Sequence, residues 1–226
     1  MGEPERIDWH AVLANAPAHD DDLAARARRE QAQAAARERV EDLAARERRL
    51  DEASETSVPL TDGMRHRVIH GALDDVAALK WVRMWLAKRG ARSLVVLCGT
   101  TGVGKTVAAS DAIASTEGSR YVKAKRLVGL ASAQFGEERK YFVELCRAPL
   151  LVIDEIGLEK TEAGAREALC ETIDERQGRR TLVIGNLAED EVRARLDVRT
   201  LSRIDEIGAF IDVKGEDLRA RSRQRS

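Results

Sequence analysis

The sequence predicts a three-layer α/β domain built on a parallel sheet and preceded by a charged helical arm. Three observations predict it. Beyond residue 61, short aliphatic or β-branched runs alternate with helical stretches, the order that a sheet covered by helices on both faces requires. Two of those runs, SLVVLC at 93–98 and PLLVID at 149–154, are apolar on both faces, as strands buried in a parallel sheet are. The first 60 residues hold 14 acids and 9 bases and the rest 25 acids and 29 bases, so an arm of net −5 precedes a domain of net +4.

Length and composition narrow the possibilities further. With 226 residues and a formal net charge of −1, the chain has room for one domain plus an appendage. It lacks the bulk positive charge of a protein that coats nucleic acid, so any such contact must come from a local patch. No run approaches the roughly 18 consecutive apolar residues of a membrane span. The N-terminus MGEPERIDWH lacks the basic-then-apolar pattern of a secretory signal, so the expectation is a cytoplasmic chain with no membrane contact. Cys98, Cys146 and Cys170 are odd in number and far apart, and are expected as small buried hydrophobes rather than a disulfide or zinc framework.

In chain order, Ile7, Trp9, Val12 and Leu13 come first, residues able to form one apolar face of a short helix too small to own a core, which makes them a candidate interaction motif. Asp20 to Ala53 is rich in Ala, Arg and Glu with no Gly or Pro, and is expected to be helical. Its only large aliphatics are Leu23, Val40, Leu43 and Leu50, too few for a coiled-coil seam, leaving a solvated helix or a partner-docking one. The polar ASETS, Pro59 and TDG mark a linker, so the expected division is an arm of residues 1–60 and a domain of residues 61–226. The expected strands are Ser93 to Cys98, Arg120 to Val122, Leu150 to Ile153, Thr181 to Ile184 and Ala209 to Val213.

Directly after the first strand comes Gly99-Thr100-Thr101-Gly102-Val103-Gly104-Lys105-Thr106, a G-x-x-x-x-G-K-[ST] sequence leading into the helical VAASDAIA. Glycines let successive backbone N–H groups face a polyphosphate, and the following helix offers its positive end to the same anion. Lys105 then reaches the β- and γ-phosphates of a nucleotide such as ATP, while the Thr106 hydroxyl is a ligand for Mg²⁺. The strand LLVI ends in Asp154 and Glu155. In a parallel sheet these emerge at the same edge as the phosphate loop, where Asp154 can hold Mg²⁺ and Glu155 can orient a water for in-line attack.

GTTGVGKT followed by LLVIDEIG resembles an AAA+ ATPase. The phrases APLLVIDEIG, TLVIGNL, LSRIDEIG and GEDLR, in that order, resemble the DnaC-like helicase loaders and the related IstB transposition ATPases, from about Gly71 to Arg219. The resemblance implies a three-layer AAA+ P-loop domain with a five-stranded parallel sheet and a minimal lid. It implies that Asn186 is the sensor-1 residue, that Arg203 is the arginine finger reaching a neighbouring subunit's ATP, with Arg199 one turn earlier as its rival, and that Arg219 is the sensor-2 arginine. A finger acting on a neighbour implies self-association in the ATP state and weak turnover by a monomer.

In the family, the segment after the second strand lines a channel for single-stranded DNA. Lys123, Lys125 and Arg126 are the bases available there, with Phe135 as the nearest aromatic able to stack on a base. LEKTEAGAREA after DEIG has no aromatic, and only Lys160 is basic before Arg166. The functional expectation is an ATP-hydrolysing loader that binds single-stranded DNA and grips a hexameric replicative helicase through residues 1–60. The alternative is an IstB-like ATPase assisting a transposase.

Overall fold

A computed structural model describes residues 19–55, 58–88, 90, 92–156 and 163–218. The chain divides into two compact units, Met1–Asp42 and Leu43–Ser226. What is described of the first unit is the leading part of helix α1, His19–Glu52. Side chains from Ala24 to Asp42 are almost all exposed, Val40 among them. This stretch is held by intrinsic propensity, with surface pairs such as Arg26–Glu30 adding a few tenths of a kcal/mol at most. Ile7, Trp9, Val12 and Leu13 lie outside the described residues.

The second unit carries a five-stranded parallel sheet in the order β2-β3-β4-β1-β5. Its strands are β1 Leu94–Cys98, β2 Arg120–Lys123, β3 Leu150–Ile156, β4 Arg180–Gly185 and β5 Gly208–Asp212, one for each expected run. The helices are α2 Asp62–His70, α3 Ala77–Ala87, α4 Lys105–Ser115, α5 Ala124–Ser132, α6 Gly136–Arg147, α7 Ala163–Glu175, α8 Glu189–Arg195 and α9 Val198–Ile207. Alternate strand residues feed two cores, as the pleat demands. Val95, Leu97, Val152 and Leu182 pack with α2, α3 and α4. Leu94, Val96, Ile153 and Val183 pack with α5 to α9 on the opposite face. All five residues of β1 are buried, which is why it sits between β4 and β5 rather than at an edge. The three cysteines are free and buried, and among the described residues no helix is long and apolar enough to cross a membrane.

The division near residue 60 is the expectation from which the structure differs most. Leu50, Ala53 and Val58 are buried in the core shared with α2 to α4. The Ala53 carbonyl accepts the Tyr121 amide at 2.7 Å and so covers the outer edge of β2. Arg46 supplies the strongest tie. Its Nη2 donates to Asp111 Oδ1 at 2.8 Å and to the Val68 carbonyl at 2.7 Å, its Nε to the Ile69 carbonyl at 2.9 Å, and its Nη1 to Ser115 Oγ at 3.0 Å. The last turns of α1 therefore belong with the sheet domain, and the unit boundary falls between Asp42 and Leu43.

Candidate nucleotide-binding site

The chain leaves β1 at Cys98, turns through Gly99 to Gly104 and enters α4 at Lys105. Gly102 and Gly104 have φ of 86° and 88°, the left-handed region that glycine alone occupies cheaply. Space excludes a side chain as well. A Cβ on Gly104 would stand 2.7 Å from Val76 Cγ1, and one on Gly102 would run into the Asp217 carboxylate. Gly104 is the N-cap of α4 and no side chain caps this end, which leaves first-turn N–H groups facing outward. Lys105 is buried, with Nζ donating to the carbonyls of Gly99 and Thr100 at 2.7 Å each. Open N–H groups around an ammonium make a site that fits a polyphosphate.

The carboxylates come from the end of β3. Asp154 is 3% exposed. Its Oδ1 accepts the Glu155 amide at 2.6 Å, and its Oδ2 accepts the Thr106 hydroxyl at 3.1 Å and the Tyr121 hydroxyl at 3.0 Å. Burial pushes this carboxyl above the usual range, against the pull of those three donors. Burial beside the same carboxylate raises the Tyr121 phenol, so its proton stays in place to be donated. Two oxygens from Thr106 and Asp154 in a buried setting are hard donors of the kind Mg²⁺ takes. Glu155 has φ of 56° and sits in a bulge where the β3/β4 register slips between Ile153 and Ile156. Its half-exposed carboxylate is met by Lys123 Nζ at 2.9 Å.

One cleft of 580 Å³ collects these groups. Of the expected residues, Thr101, Gly102, Gly104, Lys105, Thr106, Asp154, Glu155 and Asn186 line it, Asn186 directly following β4. Gly99 and Thr100 contribute the carbonyls that hold Lys105, and Val103 is buried beneath the loop. Sequence reasoning missed the other wall, which Pro59, Leu60, Thr61, Met64 and Leu218 form. The available signal was Thr61, whose Oγ1 caps α2 by accepting the Met64 amide at 3.3 Å. By sequence alone Thr61 belongs to the polar linker.

The remaining candidates lie elsewhere. Arg203 and Arg199, on α9, both pair with Asp174 at 2.8 Å, and Arg203 also meets Glu206 at 3.1 Å. Neither lines the cleft of its own chain. Arg219 and Lys160 lie outside the described residues. Lys123, Lys125 and Arg126 border a second cavity of 390 Å³, together with Tyr121 and Tyr141. They do not form the free basic row expected for DNA. Lys123 is held by Glu155, and Arg126 is shared between Glu55 at 3.0 Å and Glu138 at 2.8 Å. Lys125 is exposed, and Phe135, between α5 and α6, is 86% exposed.

A parallel sheet with a phosphate loop after β1 and paired acids at the end of β3, with β4 between the two strands, defines the class: an AAA+ nucleotide-binding domain. The sequence family described as IstB-like ATP binding protein matches residues 20–226, and the chain belongs to it. Among solved structures, a candidate primosome component from Streptococcus pyogenes serotype M3 is 17% identical with a TM-score of 0.51, covering 77% of this chain and 97% of its own. AMPPCP-bound DnaA from Aquifex aeolicus is 15% identical with a TM-score of 0.50, covering 65% of this chain and 49% of its own. The DnaC helicase loader is 22% identical with a TM-score of 0.49, covering 68% of this chain and 92% of its own. These likenesses concern the fold. None of the curated proteins matches the sequence.

Proposed function

We propose that the chain hydrolyses ATP as a switch and delivers a hexameric replicative helicase onto single-stranded DNA. The observation that carries the ATP-hydrolysis part of this reading is the convergence of Lys105, Thr106, Asp154, Glu155 and Asn186 on one cleft, a set with a task for each part of phosphoryl transfer. The loop amides and Lys105 bind the phosphates. When bound at Thr106 and Asp154, Mg²⁺ supplies charge neutralisation at the phosphate oxygens. Glu155 orients the attacking water, and the Asn186 amide donates to phosphate while accepting from water. The apolar wall of Leu60, Met64 and Leu218 suits a purine ring.

Arg203 supplies transition-state charge to a neighbouring copy, and Arg219 the sensor-2 contact to its own nucleotide. Self-association in the ATP state and slow turnover by a monomer follow. Lys125 and Phe135 are the first DNA contacts, a cation for backbone phosphate and a ring for base stacking. Lys123 joins them only by giving up Glu155. That exchange would release the water-orienting carboxylate and make turnover DNA-dependent. The acidic first unit, almost wholly exposed from Ala24 to Asp42, suits a protein partner better than duplex DNA. The second reading, an ATPase that assists a transposase, is favoured by the family match.

The test is co-purification of the full chain with its host's replicative helicase, with and without ATP, alongside Lys105→Ala and Glu155→Gln. The loader reading expects an ATP-sensitive complex, lost in Lys105→Ala and trapped in Glu155→Gln, which binds ATP but does not turn it over. No complex with helicase, together with filaments on duplex DNA, would select the transposase reading.

A further inference from the structure

We infer that Tyr121 is a positioning residue for Asp154: its hydroxyl fixes the plane of the carboxylate that would hold Mg²⁺ and so sets how tightly the nucleotide site takes the cation. The inference rests on the nucleotide reading above. In the β2/β3 register Tyr121 lies opposite Val152, and Asp154 is two residues further along, about 6–7 Å, on the same face of the sheet. From position 121 a side chain must be as long as a tyrosine to close that gap. The Tyr121 hydroxyl closes it at 3.0 Å.

The accounting of acceptor sites shows what the hydroxyl does. A carboxylate offers about four lone-pair directions. Three are taken, each by a donor from a different element: the Glu155 amide of β3 on Oδ1, and the hydroxyls of Tyr121 on β2 and Thr106 on α4 on Oδ2. Oδ2 is thereby held from two sides. Thr106 can continue to donate its proton while an oxygen lone pair faces a cation, so cation binding does not undo the arrangement. Asp154 and Tyr121 are 3% and 1% exposed, so water does not reach in to replace a lost donor. Partners that orient a metal's ligands in this way typically change metal affinity by about 10- to 100-fold when removed.

Tyr121→Phe keeps the ring in the core and removes only the hydroxyl. In the full chain, binding of a fluorescent ATP analogue is titrated with Mg²⁺, and binding of the same analogue is measured in EDTA. Mn²⁺ bound by the nucleotide complex, counted from its electron paramagnetic resonance signal, gives a second measure of cation affinity. The expected result is a rise of about tenfold or more in the half-saturating Mg²⁺ and Mn²⁺ concentrations, with cation-free binding unchanged within about twofold. An unchanged cation requirement would overturn the inference, as would an equal loss of cation-free binding, which marks a loosened core. A wild-type protein that binds the analogue without any response to Mg²⁺ removes the nucleotide reading and the inference together.

Discussion

Replacing Arg46 by Met asks whether the end of α1 is part of the folded domain. The substitution removes four hydrogen bonds of 2.7 to 3.0 Å, two of them to carbonyls in the last turn of α2, where Val68 otherwise accepts only the Gly71 amide at 3.3 Å. It also takes one of two cations from Asp111, whose side chain is 3% exposed. Breaking a buried pair outright costs about 3–5 kcal/mol. Arg83 still meets Asp111 through bonds of 2.9 and 3.1 Å, so the expected loss is about 2–3 kcal/mol. For a domain of this size that lowers Tm by roughly 4–12 °C. Calorimetry of Arg46→Met, Asp111→Asn and the double variant measures it, with a coupling of about 1 kcal/mol or more expected. A shift under about 1 °C would refute the reasoning. The same logic separates two truncations. A chain starting at Thr61 also forgoes burial of Leu50, Ala53 and Val58, about 4–6 kcal/mol, which brings the total near the whole stability of a typical domain. It should show no cooperative transition, whereas a chain starting at Leu43 should.

The Lys123–Glu155 pair is 40% and 50% exposed, so it is worth about 1 kcal/mol at most, and Lys123→Ala should raise ATP turnover by up to about fivefold. A fall in turnover would show that Lys123 assists the chemistry rather than restraining it. Burial pushes the Cys98 thiol up to about 12 and the Cys146 thiol up to about 11, from an ordinary value of 9.0. A raised folded value means that the unfolded chain gives up these protons first. The stability they contribute is complete below the ordinary value and lost as pH rises toward the folded ones. Native protein at pH 8 should therefore react slowly with a thiol reagent and the urea-unfolded chain quickly, and fast native labelling would contradict the burial.

The strands and the phosphate loop were legible because their physics is local. A run such as LVVLC has no polar face to present to water, and the glycines of GTTGVGKT serve one narrow purpose. The limit of α1 was not legible. Leu50 looks like one aliphatic in a charged helix until α2 and α4 are brought against it, and Arg46 reads as one more surface arginine until Asp111, 65 positions away, is placed beside it. The same holds for Lys123, whose partner Glu155 is 32 residues on. Tyr121 gave no sign at all, since its role depends on the register of β2 against β3. Arg203 and Arg199 are rivals for one task in the sequence, and in the fold they share one acid, Asp174.

The central place of β1 has a consequence for how this protein is made. β1 leaves the ribosome before any other strand, yet both of its neighbours, β4 and β5, lie beyond residue 179. At about 5–20 residues per second, β4 follows several seconds to a quarter of a minute later. Through that interval the most apolar strand of the sheet has neither edge paired. Slow codons between β1 and β4, or loss of a chaperone that binds extended apolar segments, should lower the yield of folded protein more than the same change placed after β5.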